Sequence, residues 1–468
     1  MEKIAAFLKK TNRWWKTGKL EPAFLYRTVR NEFNHIVRAL NSQRILAVIG
    51  PRRVGKSTLL FQTIDYLLKQ GVKSDHILFF SGDEPAIFNG DTNPGDVINS
   101  YEAEILRENL IDVSEKVYVL IDEIHVIKDW QLWLKSFFDR KIKIKFIISG
   151  SSSTHLFQGS KESLMGRIEE IRVMPLTFKQ FAGFYSVYKN TNSAQEFFEK
   201  MPQQSFFECP EEYAMELLKG RFDYDEFKIQ MMKILKEYLL VGGYPEYFNE
   251  SVVMLWQKRL IEDIITRGLY RDIVSIYSIK NPEILERLLY FIADNDGQAH
   301  SFSTLAQTLG VDFSTVSSYI NYLSNAFLVN VQENYSTNIA KIIRKNKKLY
   351  ITDNGIRNAL LRLDDIAAED EGQLVENSSV RTVRAFCEER LYNLNYWKDN
   401  NKEVDIIIDK KTDTLPIEVK YRNSISGKDM RGIKGFIEKF DSKNGVLITK
   451  DLLKVENNIT FMPFWLIN

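Results

Sequence analysis

The sequence predicts an α/β fold whose N-terminal half is a parallel β-sheet covered by helices. Apolar runs of strand length alternate there with segments of helical periodicity, and each run is apolar throughout. Strands buried on both faces are typical of parallel sheets that have helices packed above and below. The predicted strands are ILAVIG (45–50), HILFF (76–80), VYVLID (117–122), KFIISG (145–150) and IRVMPL (171–176).

The pattern changes twice further along the chain. A chain of 468 residues is too long for one compact core, so we expect several domains. From about residue 177 the sequence is helical and rich in aromatic residues, and beyond residue 346 strands return around VDIIID (404–409), LPIEVKY (415–421) and GVLITK (445–450). The predicted parts are a helical lead-in at 1–44, the sheet domain at 45–176, a helical region at 177–280, a second helical segment at 281–348 and a small α/β domain at 349–468.

Composition excludes several classes of protein. Lys and Arg number 63 against 62 Asp and Glu, so no global charge attracts nucleic acid or an anionic membrane, and any such binding must be local. Cys209 and Cys387 have no CxxC spacing, which argues against a zinc module or a disulfide framework. The sequence has no signal-peptide pattern and no apolar run long enough for a membrane span. We therefore expect a cytoplasmic protein.

A glycine-rich motif joins the first predicted strand to a helix. Residues 50–57 read GPRRVGKS and fit the GxxxxGKS pattern of a phosphate-binding loop, or P-loop. In such a loop the backbone N–H groups and the helix N-terminus surround the phosphates, Lys56 reaches the β and γ phosphates, and Ser57 places a hydroxyl on Mg²⁺. We therefore expect ATP and Mg²⁺ as cofactors. The expected binding residues are Gly50, Pro51, Arg52, Arg53, Val54, Gly55, Lys56, Ser57 and Thr58.

Two acids follow the strand VYVLID. Asp122 lies at the carboxyl end of this strand, where ligands of open α/β sheets bind, and it is expected to hold Mg²⁺ through water. Glu123 is expected to polarise the water that attacks ATP, which is the property of a hydrolase. For either acid taken alone, helix capping is the better interpretation. Their position downstream of a P-loop favours ATP hydrolysis.

Three further segments carry candidate roles with alternatives. A serine of the run Ser149 to Ser153 could sense the γ-phosphate or cap the next helix. Arg167 is a candidate arginine finger, in its own subunit or a neighbour's, and the alternative is a surface arginine. His125 could be a proton relay, although a residue at the start of a helix is the simpler interpretation.

Several motifs together resemble a known group of proteins. These are GPRRVGKST, LIDEIH, the SGSS segment, LMGR, PLTFKQF (175–181), VGGYPE (241–246) and the RDI segment (271–273). The chain is similar in them to archaeal and bacterial ATPases of the AAA+ and STAND-like group, which pair this module with a C-terminal domain of unknown function. The resemblance implies ATPase activity and does not identify a substrate.

Residues 301–329 have the pattern of a helix-turn-helix. One apolar face ends at Gly310 and a second begins at Val316, and the strand-like segments on either side of the basic run KIIRKNKK would form a wing. We therefore predict a winged helix within 281–348. The recognition helix, Phe313 to Asn325, carries no Lys or Arg, so DNA contact and a packing role both stay open. The expected DNA-contacting residues are Lys341, Arg344, Lys345, Lys347 and Lys348.

The C-terminal segment contains acids in the order E, D, ExK. Glu376 lies in a helical segment, Asp405 enters a strand, and Glu418 and Lys420 project from one face of the next strand. This order resembles the PD-(D/E)xK nuclease fold, and the resemblance implies that Asp405 and Glu418 bind Mg²⁺ while Lys420 activates water. Alternating charges on a half-exposed strand are the alternative.

Two functions follow from these expectations. The first is an ATPase coupled to the binding or processing of nucleic acid, with DNA as a partner. The alternative is an ATP-dependent switch that binds a protein partner and has an inactive nuclease-like tail. Either function is compatible with an oligomer, and no membrane association is expected.

Overall fold

The computed structural model describes residues 2–88, 92–151, 164, 166–220, 224–250 and 252–467. The chain forms two compact units, residues 1–174 and residues 175–468. The first unit ends close to the predicted end of the sheet domain, at residue 176. The finer division of the chain into five parts stays a prediction.

The first unit is built on a parallel sheet, as predicted. Five strands are seen among the described residues: β1 (Ile45–Ile49), β2 (Ile77–Ser81), β3 (Val117–Asp122), β4 (Ile144–Gly150) and β5 (Ile168–Arg172). Their spatial order is β2-β3-β4-β1-β5, and all of the pairs are parallel. The predicted strand IRVMPL is misplaced, because the strand begins at Ile168 and ends at Arg172. The strand reads IEEIR, and its charged residues interrupt the apolar pattern from which the strand was predicted.

Helices accompany this sheet in the alternating order that parallel strands require. Their bounds are α1 (Glu2–Thr11), α2 (Trp14–Thr17), α3 (Glu32–Ala39), α4 (Lys56–Lys69), α5 (Pro94–Tyr101) and α6 (Trp130–Asp139). Short 3₁₀ turns lie at Pro22–Phe24, Ser74–His76 and Ile124–Val126, and a π-helical turn lies at Glu102–Leu106. All five residues of β1 are buried, so the strand that leads into the P-loop is held rigidly inside the unit.

The second unit begins with a helical region that has an aromatic core. Its helices are α7 (Phe178–Tyr188), α8 (Ser193–Lys200), α9 (Pro210–Leu218), α10 (Asp225–Val241), α11 (Val253–Ile261) and α12 (Val274–Tyr277), with a 3₁₀ turn at Pro245–Asn249 and a π-helix at Glu262–Ile273. Phe181 packs against Tyr238, Tyr247 and Phe248, with ring centroids 5.0 to 6.3 Å apart. This packing explains why the aromatic residues recur along the segment.

Helices and strands then alternate up to the C-terminus. The helices are α13 (Pro282–Asp294), α14 (Phe302–Leu309), α15 (Phe313–Asn325), α16 (Ile339–Arg344), α17 (Asn354–Leu361), α18 (Glu371–Arg390) and α19 (Arg431–Phe440). The strands are β6 (Ala299–His300), β7 (Val329–Asn334), β8 (Lys347–Ile351), β9 (Asn393–Asp399), β10 (Lys402–Asp409), β11 (Thr414–Lys420), β12 (Gly445–Thr449), β13 (Lys454–Glu456) and β14 (Ile459–Pro463), and a 3₁₀ turn lies at Phe464–Leu466.

The strands of the second unit form one mixed sheet. Within the described residues its order is β13-β14-β12-β11-β10-β9-β7-β8-β6. The segment predicted to be a winged helix and the C-terminal segment therefore share a sheet, because β7 pairs with β9 in parallel. Helix α19 covers this sheet with Phe436, which packs with Trp397, Val404 and Ile407. In the part of the chain that the structure describes, no helix is both long and apolar enough to cross a membrane.

Candidate functional site

The P-loop follows the carboxyl end of β1 and leads directly into α4. Gly55 adopts a left-handed backbone with φ 97°, a conformation that a residue with a Cβ rarely takes, and α4 begins at the next residue. The ammonium group of Lys56 lies inside the loop and donates to the carbonyl oxygens of Gly50 (3.0 Å) and Pro51 (2.9 Å). A left-handed glycine followed directly by a helix N-terminus is the arrangement that a P-loop requires.

Asp122 lies beside the P-loop serine. Strand β4 separates β3 from β1, and it brings Ser149 to the same edge of the sheet as Asp122. The hydroxyl of Ser149 donates to Asp122 Oδ1, and the hydroxyl of Ser57 also lies near Asp122. Burial raises the pKa of Asp122, while these two hydroxyl groups oppose the rise. The structure thus brings together Ser57, Asp122 and Ser149, which are far apart in sequence.

Glu123 has a strained backbone and an oriented side chain. Its φ of 46° is left-handed, which is uncommon for a residue other than glycine, and its N–H donates to Ser149 Oγ at 3.0 Å. A carboxylate oxygen lies 3.2 Å from Nδ1 of His125, and Nε2 of that ring lies 3.2 Å from Ser151 Oγ. His125 therefore lies beside the carboxylate, and it belongs to a short 3₁₀ turn, as expected of a residue at a helix start. Ser152 and Ser153 lie outside the described residues.

Arg167 lies at the opposite edge of the sheet. Its carbonyl accepts the N–H of Ile45, at the amino end of β1, whereas the P-loop follows the carboxyl end of that strand. The five residues of β1 put roughly 16 Å between these edges. Its guanidinium group pairs with Asp139 at 3.0 Å. The structure does not bring Arg167 to its own P-loop, and a role in a neighbouring subunit stays a prediction.

Arg30 is a P-loop contact that the sequence analysis missed. Its buried guanidinium donates to the carbonyl oxygens of Val54 (2.7 Å) and Met174 (2.6 Å), and it pairs with Glu32 at 2.7 Å. Arg30 therefore links the loop to the chain that leaves β5. No spacing or motif in the sequence marks this residue, because its partners are two backbone carbonyls from distant segments.

The predicted C-terminal acids come together in the second unit. Asp405 Oδ2 accepts the N–H of Val419 at 3.0 Å and lies 3.9 Å from the ammonium of Lys420, which also pairs with Glu418. Asp405 lies where the pairing of β9 with β10 shifts register, and such β-bulges re-aim a side chain. Glu376 reaches the same place from α18. We call these residues, with Glu403 and Lys348, the acid cluster.

Lys348 occupies the centre of the acid cluster, which corrects its predicted role in DNA contact. Its ammonium lies 2.9 Å from Glu403 Oε1, 3.0 Å from Asp405 Oδ1 and 3.3 Å from Glu376 Oε1. The residue is 2% exposed, so it cannot reach a nucleic acid. Lys347 pairs with Glu333 at 2.8 Å and is only partly exposed. Among the predicted DNA-contacting residues, Lys341, Arg344 and Lys345 are exposed.

The surroundings shift the pKa values of the acid cluster in opposite directions. Burial, with the charge of Asp405 as a second cause, raises the pKa of Glu418 to about 8 and also raises that of Glu376. Burial alone would raise the pKa of Asp405, but the ammonium groups of Lys348 and Lys420 lower it. The lysines therefore stabilise the charged form of Asp405.

Three family descriptions match successive parts of the chain. Residues 42–182 match an AAA domain. Residues 232–367 match a domain of unknown function (DUF8612), and residues 371–467 match another (DUF4143). The parallel five-stranded sheet with its P-loop is thus a P-loop NTPase fold similar to AAA domains, which supports ATP binding or hydrolysis.

Relatives that match most of the chain occur in bacteria and archaea. An uncharacterized protein of Haemophilus influenzae is 26% identical over 403 residues, covering 84% of this chain and 86% of the relative. Uncharacterized protein MJ1637 of Methanocaldococcus jannaschii is 26% identical over 436 residues, covering 91% of this chain and 84% of the relative. Among solved structures, the Walker-type ATPase PABY2304 of Pyrococcus abyssi has a TM-score of 0.45 at 16% identity, covering 73% of this chain and 98% of that protein. The Aeropyrum pernix ORC1 protein in complex with DNA has a TM-score of 0.32 at 12% identity, covering 75% of this chain and 96% of that protein.

Proposed function

We propose that this protein hydrolyses ATP in its N-terminal unit, with Glu123 as the general base. The observation that carries the proposal is the convergence of Lys56, Ser57, Asp122 and Glu123 at one edge of the sheet. Lys56 would bind the β and γ phosphates and stabilise the charge that develops on them. Because Ser149 fixes both Asp122 and the backbone of Glu123, the two acids have a defined geometry.

Ser57 and Asp122 fit a magnesium site. Both supply oxygen atoms, which are the ligands that Mg²⁺ prefers, and the Ser57 hydroxyl lies close enough to Asp122 to lower the pKa of its carboxyl group. Bound there with ATP, Mg²⁺ would neutralise charge on the β and γ phosphates. Asp122 is 7% exposed, so a cation next to it would offset the cost of burying its charge.

Glu123 would act on the attacking water. Its carboxylate would accept a proton from water as the water oxygen bonds to the γ-phosphorus, and the bond from that phosphorus to the β–γ bridging oxygen would break, which releases ADP and phosphate. His125 would be a positioning residue for this carboxylate, because its Nδ1 lies 3.2 Å from a carboxylate oxygen and its Nε2 lies 3.2 Å from Ser151 Oγ. Glu123 and His125 thus have separate roles, proton acceptor and positioning residue.

Hydrolysis and binding can be measured separately on two variants. We expect Lys56→Ala to lose ATP binding, and Glu123→Gln to bind ATP like the wild type while its turnover falls about 10²-fold or more. Glu170→Gln is the matched control, since this acid is on β5 of the same sheet and contacts none of these residues in the described structure. Wild-type turnover by Glu123→Gln would show that another group is the base.

We further propose that ATP hydrolysis is coupled to nucleic acid through the second unit. Helices α13, α14 and α15, followed by β7 and β8, have the element order of a winged helix, and the exposed cations Lys341, Arg344 and Lys345 lie on or next to α16 in its wing. These cations would contact phosphates, since α15 carries no Lys or Arg to contact bases. Binding through phosphates alone would be sensitive to shape rather than to sequence.

A specific feature of α16 favours a second candidate, a protein-binding switch. Ile339 and Ile343 lie four residues apart on this helix and are 74% and 70% exposed. Side chains with this spacing share a helix face, so the helix offers an apolar strip beside its cations. A protein partner would cover that strip, whereas DNA backbone would leave it exposed.

A further inference from the structure

The acid cluster contains the residues of a predicted metal site but not the space for a metal. A divalent cation requires several carboxylate oxygens at about 2.0–2.6 Å around one point. In this structure the oxygens of Glu376, Glu403 and Asp405 converge instead on the ammonium nitrogen of Lys348, at 2.9 to 3.3 Å. Within the described residues, no group of three or more His, Cys, Asp or Glu side chains could hold a metal ion.

We propose that the ammonium group of Lys348 permanently takes the place of a divalent cation in the acid cluster, so that the cluster is closed to metal ions. An ammonium has three hydrogen-bond donors, and each of the three carboxylates supplies an acceptor. The hydroxyl of Tyr350, two residues along the same face of β8, donates to Glu376 at 2.7 Å. The site of Lys348 is therefore fully satisfied.

The backbone of Lys348 cannot withdraw the side chain easily. Strand β8 is paired on both sides, because Lys348 lies opposite Ala299 of β6 and Gln332 of β7. Gln332 in turn donates to the backbone carbonyls of Asn395 (2.6 Å) and Asp405 (3.1 Å), so its side chain joins β7 to β9 and β10. The main chain at Lys348 is therefore fixed, and it keeps the ammonium group within reach of the three carboxylates.

Removal of the lysine would be costly for the same electrostatic reason that holds it in place. A buried charge that loses its partner destabilises a protein far more than the intact pair stabilises it. Four acids would then remain: Glu376, Glu403, Asp405 and Glu418. Of the lysines that pair with them, only Lys398 and Lys420 would be left. A divalent ion would restore the balance, and it would recruit Glu418 Oε2, a buried oxygen that has no hydrogen-bond partner among the described residues.

The consequence is that the C-terminal sheet does not cut nucleic acid by a metal-dependent mechanism. The cluster instead ties β8 to β10, β11 and α18 through charge. Lys348 would close the cluster whether or not the N-terminal unit hydrolyses ATP, since every residue involved belongs to the second unit. Failure of the ATPase proposal and failure of this one are therefore separable.

Binding of Mn²⁺ to the full chain without nucleotide, measured by electron paramagnetic resonance, tests the proposal. We expect the wild type and Glu418→Gln to bind Mn²⁺ to the same extent, because Glu418 should hold no metal ion in the wild type. We expect Lys348→Met to bind one Mn²⁺ at least tenfold more tightly than the wild type does, and Lys348→Met combined with Glu418→Gln to lose this site. Lys347→Met is the matched control, because this neighbouring lysine pairs with Glu333 outside the cluster and should leave Mn²⁺ binding unchanged.

Three outcomes would overturn the proposal. One is wild-type Mn²⁺ binding that Glu418→Gln abolishes. Another is wild-type cleavage of DNA with Mn²⁺ that the same substitution abolishes. The third is a folded Lys348→Met that binds no Mn²⁺. If Lys348→Met folds only when Mn²⁺ is added, the proposal is supported, and if it does not fold at all, the comparison of wild type with Glu418→Gln decides.

Discussion

Asp296 shows how one buried carboxyl group links the stability of the second unit to pH. It lies in the turn between α13 and β6, where it accepts the N–H of Ile351 (2.6 Å) and the amide of Asn377 (2.7 Å). Burial nevertheless raises the pKa of Asp296 to about 7, well above its ordinary value of 3.8. The folded protein therefore binds a proton that the unfolded chain has already released between about pH 4 and pH 7.

The free energy of unfolding should fall as the pH rises through this window. At about 1.4 kcal/mol per pKa unit, Asp296 would remove at most about 4 kcal/mol between pH 4 and pH 8. Asp296→Asn should lose this part of the pH dependence in urea unfolding. Asp294→Asn, an exposed acid two residues away, is the control and should keep it. An unchanged slope in Asp296→Asn would mean that the carboxyl group stays ionised in the folded protein.

Two motifs that carry the family resemblance prove to be one structural element in space. In PLTFKQF, Thr177 caps helix α7 reciprocally with Gln180. The carbonyl of Leu176 accepts the guanidinium of Arg381, which pairs with the fully buried Asp353. In VGGYPE, the N–H of Gly243 donates to the same carboxylate at 2.8 Å. The motifs therefore build a socket for a buried ion pair, not a catalytic site.

Gly243 is required in this socket because it has no side chain. A Cβ atom at this position would lie 2.2 Å from the carbonyl oxygen of Leu176 and 2.5 Å from the guanidinium of Arg381. We expect Gly243→Ala to lower the free energy of unfolding by at least about 3 kcal/mol, since it combines overpacking with disruption of a buried charge pair.

The control for this prediction is another glycine. Gly183 lies within helix α7, and a Cβ atom added there would have no other atom within 4 Å, so Gly183→Ala should be neutral or stabilise by up to about 1 kcal/mol. Urea denaturation of both variants gives the comparison. Equal stabilities for the two variants would show that the socket relaxes around a methyl group.

The proposed coupling predicts that nucleic acid changes the rate of ATP turnover. We expect a nucleic acid of suitable shape to increase ATP turnover, and the triple variant Lys341→Glu, Arg344→Glu, Lys345→Glu to bring the ratio of stimulated to unstimulated rate close to one. Loss of three phosphate contacts should also lower the slope of the logarithm of the binding constant against the logarithm of the salt concentration by roughly three.

The matched control reverses the same number of charges elsewhere. Lys219, Lys233 and Lys280 are exposed in the second unit and lie outside α16, so their replacement by Glu should leave the stimulation intact. If no single-stranded, duplex or branched DNA and no RNA changes the rate, the apolar strip of Ile339 and Ile343 makes a protein partner the better explanation.

Local sequence was sufficient wherever the physical cause is local. The P-loop is such a case, because the left-handed Gly55 and the helix that begins at Lys56 follow closely after the buried strand β1. Strand β3 is another, since the apolar run that ends in Asp122 predicted the strand and put this acid at its carboxyl end. The alternation of residues on a strand likewise predicted that Glu418 and Lys420 share a face.

Tertiary structure decided the features that depend on strand order and register. Arg167 is near the P-loop strand in space but at its far end, which follows only from the pairing of β1 with β5. In the sequence, Lys348 is one member of a basic run. Its place beside Asp405 depends on a β-bulge, on Gln332 and on the pairing of β7 with β9. A charged side chain has the same appearance in sequence whether it faces water or three carboxylates, because only the packing of distant strands determines its surroundings.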